Sequence, residues 1–209
     1  MRSHRLAPAF FLFAAAALIA TGCDDGPAGP DPDVRLAEEL TFIRPAADAP
    51  PLANPSVQFY AKRGEDRDVF IYYRPRPGQT DSTEFMHFRV RAEALLRRPN
   101  GTAFQQGDSI LISVNVVDPS RLILDFQPSG LRFSQDHPAE LEISFEEADD
   151  DLDGDGDIDD RDVENERKLS VWRQEAPGQP WYRMATVVEY ELNEVDVDLF
   201  GFSGYAIAY

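Results

Sequence analysis

From Glu140 to Glu146 the chain alternates strictly. Leu141, Ile143 and Phe145 are apolar, and Glu140, Glu142, Ser144 and Glu146 between them are polar. Successive side chains of a strand point to opposite faces, so this period of two lays one face on a core and the other toward water. The same reading predicts strands at 57–62, 68–74, 85–90, 109–117, 121–126, 169–173, 186–192, 195–199 and 205–209. Within 85–90, Met86, Phe88 and Val90 share the apolar face and His87 lies opposite. Residues 63–67 read as the turn of a hairpin between the first two strands. No segment sustains a helical period, and helix is expected only as a turn or two near 160–167. Short alternating runs with polar or proline-rich punctuation predict an all-β fold, an antiparallel β-sandwich formed by one domain over 57–209.

The strand at 140–146 is followed by Asp151-Leu-Asp-Gly-Asp-Gly-Asp-Ile-Asp-Asp-Arg-Asp162, ahead of the strand at 169–173. Asp151, Asp153 and Asp155 fall at positions one, three and five of a twelve-residue loop. Gly156 is sixth, where the backbone must turn sharply. Asp157 is seventh and offers its carbonyl, Ile158 is an apolar anchor at position eight, Asp159 binds through water, and Asp162 closes the loop. A hard cation takes several oxygen ligands in flexible geometry, so this spacing predicts Ca2+, held in a loop inserted between two strands. Registers starting at Asp149 or Asp153 put Gly156 in the apolar slot or Ile158 in the glycine slot. An EF-hand ordinarily closes with a longer Glu. Aspartate at the twelfth position resembles the loops of dockerin modules and other extracellular calcium loops. A dockerin carries two such loops, each leading into a helix. This chain has one, followed by strand-like Lys168-Leu-Ser-Val-Trp-Arg173, so cohesin binding is not implied.

Arg2 and Arg5 precede an apolar run from Ala7 to Ala20, which ends in Ala20-Thr-Gly-Cys23. A basic start, an apolar run and small residues before a cysteine predict a lipoprotein signal peptide at 1–22, with Cys23 lipidated. The chain is then expected to sit in a bacterial cell envelope, extracytoplasmic and anchored to the membrane by lipid. Cys23 is the only cysteine, which excludes an intramolecular disulfide and a thiolate zinc site. Residues 24–33 are Pro, Gly, Asp and Ala, a composition that cannot pack a core and predicts a flexible tether. Pro45, Pro50, Pro51 and Pro55 break the stretch that follows, so 34–56 reads as an irregular lead-in with one strand at 40–43.

Without residues 1–22 the chain has 18 basic and 38 acidic side chains, and 146–166 alone hold thirteen acids and one base. Acidity is therefore concentrated around the Asp-rich loop. Nucleic acid is excluded as a partner, because a phosphate backbone demands the opposite sign. Anionic headgroups are repelled as well, which leaves the lipid to hold the chain at a membrane.

Phe126-Gln-Pro-Ser-Gly-Leu-Arg-Phe133, Ala139-Glu-Leu-Glu-Ile-Ser-Phe145, Trp181 and Phe202-Ser-Gly-Tyr-Ala-Ile-Ala208 form an ordered string of short motifs. This string resembles the β-sandwich domain of netrin receptors, ankyrins and zonula-occludens proteins, and covers about half the chain, 85–209. The resemblance implies a sandwich with a binding or scaffold role. Some relatives cleave themselves at a His-Phe-Ser site. Phe202 and Ser203 match it, but Gly201 stands in the histidine position, so self-cleavage is not expected.

Downstream of the signal the histidines are His87 and His137, and neither has a spaced catalytic partner or a nucleophile motif. The chain reads as non-catalytic. Tyr72, Tyr73, Trp172 and Trp181 are a candidate carbohydrate platform, although aromatic residues in strands more often serve as core or cross-strand partners. Two functions stand side by side. One is an anchored, calcium-organised binding or scaffold domain, with another envelope protein or a polysaccharide as partner. The other is an envelope carbohydrate-binding protein or hydrolase. A cleft lined by convergent polar groups favours the second.

Overall fold

Alternating apolar side chains stabilise strands only when a second layer covers them. The computed structural model describes residues 33–209. The signal segment 1–22, Cys23 and most of the tether lie outside the described residues. In chain order the strands are β1 (Val34–Arg35), β2 (Ser56–Lys62), β3 (Arg67–Tyr72), β4 (Glu84–Val90), β5 (Leu95–Arg97), β6 (Ser109–Asp118), β7 (Ile123–Gln127), β8 (Arg132–Phe133), β9 (Ala139–Ser144), β10 (Ser170–Gln174), β11 (Trp181–Arg183), β12 (Thr186–Glu189), β13 (Glu194–Leu199) and β14 (Gly204–Ala208). One α-helix, α1 (Asp160–Glu166), joins β9 to β10, and a single turn of 3-10 helix covers Ala37–Glu39 in the lead-in.

The strands form a seven-stranded sheet, β1-β11-β10-β14-β7-β6-β2, a five-stranded sheet, β12-β13-β9-β4-β3, and a short β5-β8 pair. The pairings within them are antiparallel. The two larger sheets share a core, and aromatic rings bridge them: Phe88 of β4 lies 5.1 Å from Phe126 of β7 and 6.2 Å from Phe59 of β2. The fold is all-β and sandwich-like. Alternation holds in β9 as far as Ile143, with Leu141 and Ile143 buried and Glu140 and Glu142 half-buried on the other face, but Ser144, expected toward water, is buried as well.

Three connections differ from expectation. β2 and β3 are not a hairpin, because β2 pairs with β6 and β3 with β4, in different sheets. The turn between them crosses the end of the sandwich. It is tied there by Gly64 N–H to the Ala92 carbonyl (2.8 Å) and Ala92 N–H to Asp66 Oδ1 (2.7 Å). β9 and β10 likewise lie in different sheets, so the Asp-rich segment between them spans two layers rather than joining neighbouring strands. The lead-in is also more ordered than its prolines suggest. Thr41 and Tyr209 exchange backbone hydrogen bonds of 3.1 Å, and Leu40 and Phe42 cover Trp172 and Trp181. Phe42 meets Trp181 edge-on at 5.3 Å. Burying such a side chain contributes about 1.5–3 kcal/mol, which explains why this segment adheres to the sheet.

Candidate metal centre

Leu152, the second residue of the acidic loop, packs its side chain against the main core. Its backbone is held from two sides. Arg44 Nη2 donates to the Asp151 carbonyl (3.1 Å) and pairs with Asp149 (3.6 Å), and the Tyr209 hydroxyl donates to the Leu152 carbonyl (2.9 Å). The predicted anchor, Ile158, is instead 71% exposed, so Leu152 takes the anchoring part. Sequence spacing missed Leu152, Arg44 and Tyr209 in this role, since two of the three are remote in the chain.

Asp151 organises the turn. Its Oδ1 accepts from the backbone N–H of Gly154 (2.7 Å) and Asp155 (3.1 Å), and its Oδ2 accepts from Gly156 N–H (2.9 Å). Gly154 and Gly156 adopt φ of 75° and 97°, left-handed conformations that favour glycine. The turn brings Asp151, Asp153 and Asp155 together, with one carboxylate oxygen from each lying within 4.8 Å of the others. Three convergent carboxylates are hard oxygen donors, a set that can hold a metal ion.

The remaining predicted ligands are not part of that trio, though each is bonded into the same loop. Asp162 is buried, and its carboxylate accepts from the N–H groups of Leu152 (2.8 Å), Asp153 (3.2 Å) and Asp159 (2.9 Å). These bonds favour the charged form and hold Asp162 below the ordinary carboxylate range, the Asp159 bond most strongly. Asp159 caps α1, accepting from Arg161 N–H (2.7 Å). Asp157 is exposed, and its N–H donates to Asp155 Oδ1 (3.1 Å). Asp162 therefore ties the end of the loop to its beginning through backbone hydrogen bonds.

The side chain of Arg161 reaches over the loop. Its guanidinium bonds Asp155, pairs with Asp159 (3.0 Å) and approaches Asp153 (3.6 Å). Hydrogen bonding to Asp159, then the charge of Asp155, pushes its pKa further up, so it stays cationic. Arg161 is thus the counter-charge of the cluster in this structure.

Of the other candidates, Tyr73, Trp172 and Trp181 are buried, and the Trp172 indole donates to the Ala208 carbonyl (3.1 Å). Only Tyr72 of the four is exposed, so they do not form a shared platform for a sugar. Ser203 is also buried, and the Tyr205 hydroxyl donates to the Gly201 carbonyl (2.5 Å) beside it. No helix among the described residues is long and apolar enough to cross a membrane. No known family profile matches the chain, and no curated protein or solved structure matches it either.

Proposed function

We propose that this chain is a lipid-anchored envelope protein whose sandwich carries a Ca2+-organised loop and serves as a non-catalytic binding or scaffold domain. The observation that carries the ion is the convergence of Asp151, Asp153 and Asp155 on a turn whose first aspartate accepts three backbone N–H bonds. In this reading Asp151, Asp153, Asp155 and Asp162 supply carboxylate oxygens, Asp157 its carbonyl and Asp159 a water-mediated contact. Ca2+ supplies positive charge that neutralises a cluster of like charges. The binding or scaffold role rests on the resemblance to the netrin receptor, ankyrin and zonula-occludens sandwich.

Calorimetry of chelator-treated protein tests the ion. Binding of one Ca2+ in the roughly 0.1–1 mM range is expected, as in many extracellular modules. Arg161→Gln removes the cation that shares these carboxylates. It is expected to tighten Ca2+ binding about tenfold, the size of a unit charge acting on a divalent ion over about 5 Å in a watery medium. Unchanged affinity in that variant means the guanidinium does not compete. For the anchor, wild-type protein is expected in the membrane fraction and Cys23→Ser in the soluble fraction, or unprocessed. A mature N-terminus at any residue other than Cys23, by intact mass, refutes the anchor.

One observation favours the second reading, an envelope carbohydrate-binding protein or hydrolase. A cavity of about 480 Å3 lies on the five-stranded sheet, lined by polar groups that include His87, Arg89, Glu142, Thr186 and Asp196.

A further inference from the structure

The strand that gives this cavity His87 and Arg89, β4, is irregular at its start. Residues three apart in a regular strand face opposite sides, so Glu84 and His87 should diverge. The ladder between β3 and β4 shifts by one residue, with Ile71 opposite Met86 but Tyr72 opposite Glu84. Phe85 is the extra residue, and both Phe85 and Met86 are buried. The bulge turns Glu84 onto the face of His87. Across the next pairing His87 stands opposite Glu142, and Glu142 stands opposite Asp196.

His87 is held in one orientation. Phe70 stacks on its ring at 4.3 Å, and its Nε2 lies 2.8 Å from Asp68 Oδ1. Arg89 Nε donates to the same oxygen (2.6 Å). That oxygen is an acceptor, so Nε2 is assigned as the nitrogen that donates to it, and the tautomer with Nε2–H leaves the Nδ1 lone pair free for an ion. Nδ1 lies 3.8 Å from Glu142 Oε2, too far for a hydrogen bond. One donor atom each from Glu84, His87 and Glu142 lies within 4.8 Å of the others.

We infer that Glu84, His87 Nδ1 and Glu142 form a second cation site, for a divalent first-row transition ion of the zinc class, with Asp68 orienting the imidazole from behind. A carboxylate on the far nitrogen of a ligating histidine is the usual support of such sites. An imidazole nitrogen with two carboxylates selects zinc-class ions over calcium, which takes oxygen alone. Tetrahedral ligands at zinc bond lengths sit about 3.3–3.6 Å apart, so the observed 3.8 Å closes with a small side-chain rotation. The surrounding charge agrees. Arg89 and Arg91 pair with Glu140 at the other end of this face. Glu142 and Asp196 oppose each other as like charges, an arrangement that costs stability without a cation between or beside them. His87 and Glu142 also line the cavity, so a fourth position on the ion is available to water or to an anionic or carbonyl ligand entering there. This site is independent of the Asp-rich loop.

The test is zinc titration of the detergent-solubilised full chain, stripped with chelator and then held in excess Ca2+. One Zn2+ per chain is expected. Glu142→Gln and His87→Ala should each weaken it at least tenfold, and Asp68→Asn by about 10–100-fold. Co2+ in place of Zn2+ should shift one exchangeable imidazole proton, the Nε2–H held by Asp68. Asp151→Ala with Asp155→Ala should leave zinc binding intact. The absence of saturable zinc binding overturns the inference and leaves His87 as part of a surface charge network. So does equal affinity in Glu142→Gln, which keeps the shape of the site, or loss of zinc with the loop variant, which would assign the ion to the loop.

Discussion

Phe126→Ala is expected to destabilise the fold by about 3–5 kcal/mol, the range for truncating a fully buried aromatic residue. Phe126 has no exposed surface and joins the two sheets. Its ring meets Phe88 of the five-stranded sheet at 5.1 Å, Phe202 at 5.3 Å and Tyr205 at 5.4 Å. Removing it leaves a cavity among three large rings that cannot all move inward, because each is fixed by other partners. Urea unfolding at constant Ca2+ measures the loss as a lower midpoint with an unchanged slope. Tyr60→Ala is the control. Tyr60 is 67% exposed on an edge strand, and its loss should fall within about 0.5 kcal/mol. A loss under about 1 kcal/mol for Phe126→Ala would contradict the ring packing.

Strand positions were readable because each alternating run has its own period, whatever it pairs with. Leu141 and Ile143 turn inward in β9, and α1 begins at Asp160 beside the expected turn of helix. Pairing was less readable. Residues 56–72 have the pattern of a hairpin, yet the two strands enter separate sheets, because alternation says which face is apolar and not which neighbour supplies the hydrogen bonds. The lead-in was misjudged for a related reason. Its prolines break regular elements but do not stop Leu40 and Phe42 from covering two tryptophans. Strict alternation through Met86, Phe88 and Val90 would turn Phe85 to the opposite face, and the bulge buries it instead. A bulge leaves no mark in the period of a single strand, so the Glu84, His87 and Glu142 cluster was invisible until β3, β4 and β9 were laid side by side. The Asp-rich loop was legible because its donors are local: Asp151, Asp153 and Asp155 are gathered by one turn, with Gly154 and Gly156 at the positions that need left-handed backbone. Its supports, Arg44 and Tyr209, come from opposite ends of the described chain.

Ca2+ is expected to raise the melting temperature by about 5–10 °C at a hundredfold excess over its dissociation constant. An ion that binds only the folded chain stabilises it by about 2.7 kcal/mol at that ratio, and in a domain of this size each kcal/mol is worth about 2–4 °C. The loop is placed to transmit this. It spans from β9 in one sheet to α1 and β10 in the other, with Leu152 on the core and Tyr209 bonded to its backbone, so ordering it restrains both layers. Asp155→Asn should remove most of the increment while keeping the side-chain shape. Asp151→Ala should remove all of it. The latter should also lower the ion-free melting point, because it deletes the acceptor for three backbone N–H groups. Mg2+ should substitute poorly, since it demands tighter octahedral geometry and gives up its water reluctantly. Scanning calorimetry at matched ionic strength separates binding from screening. If Ca2+, Mg2+ and an equivalent amount of sodium salt shift the melting point equally, the loop is a solvated acidic segment whose charge is balanced by Arg161 alone.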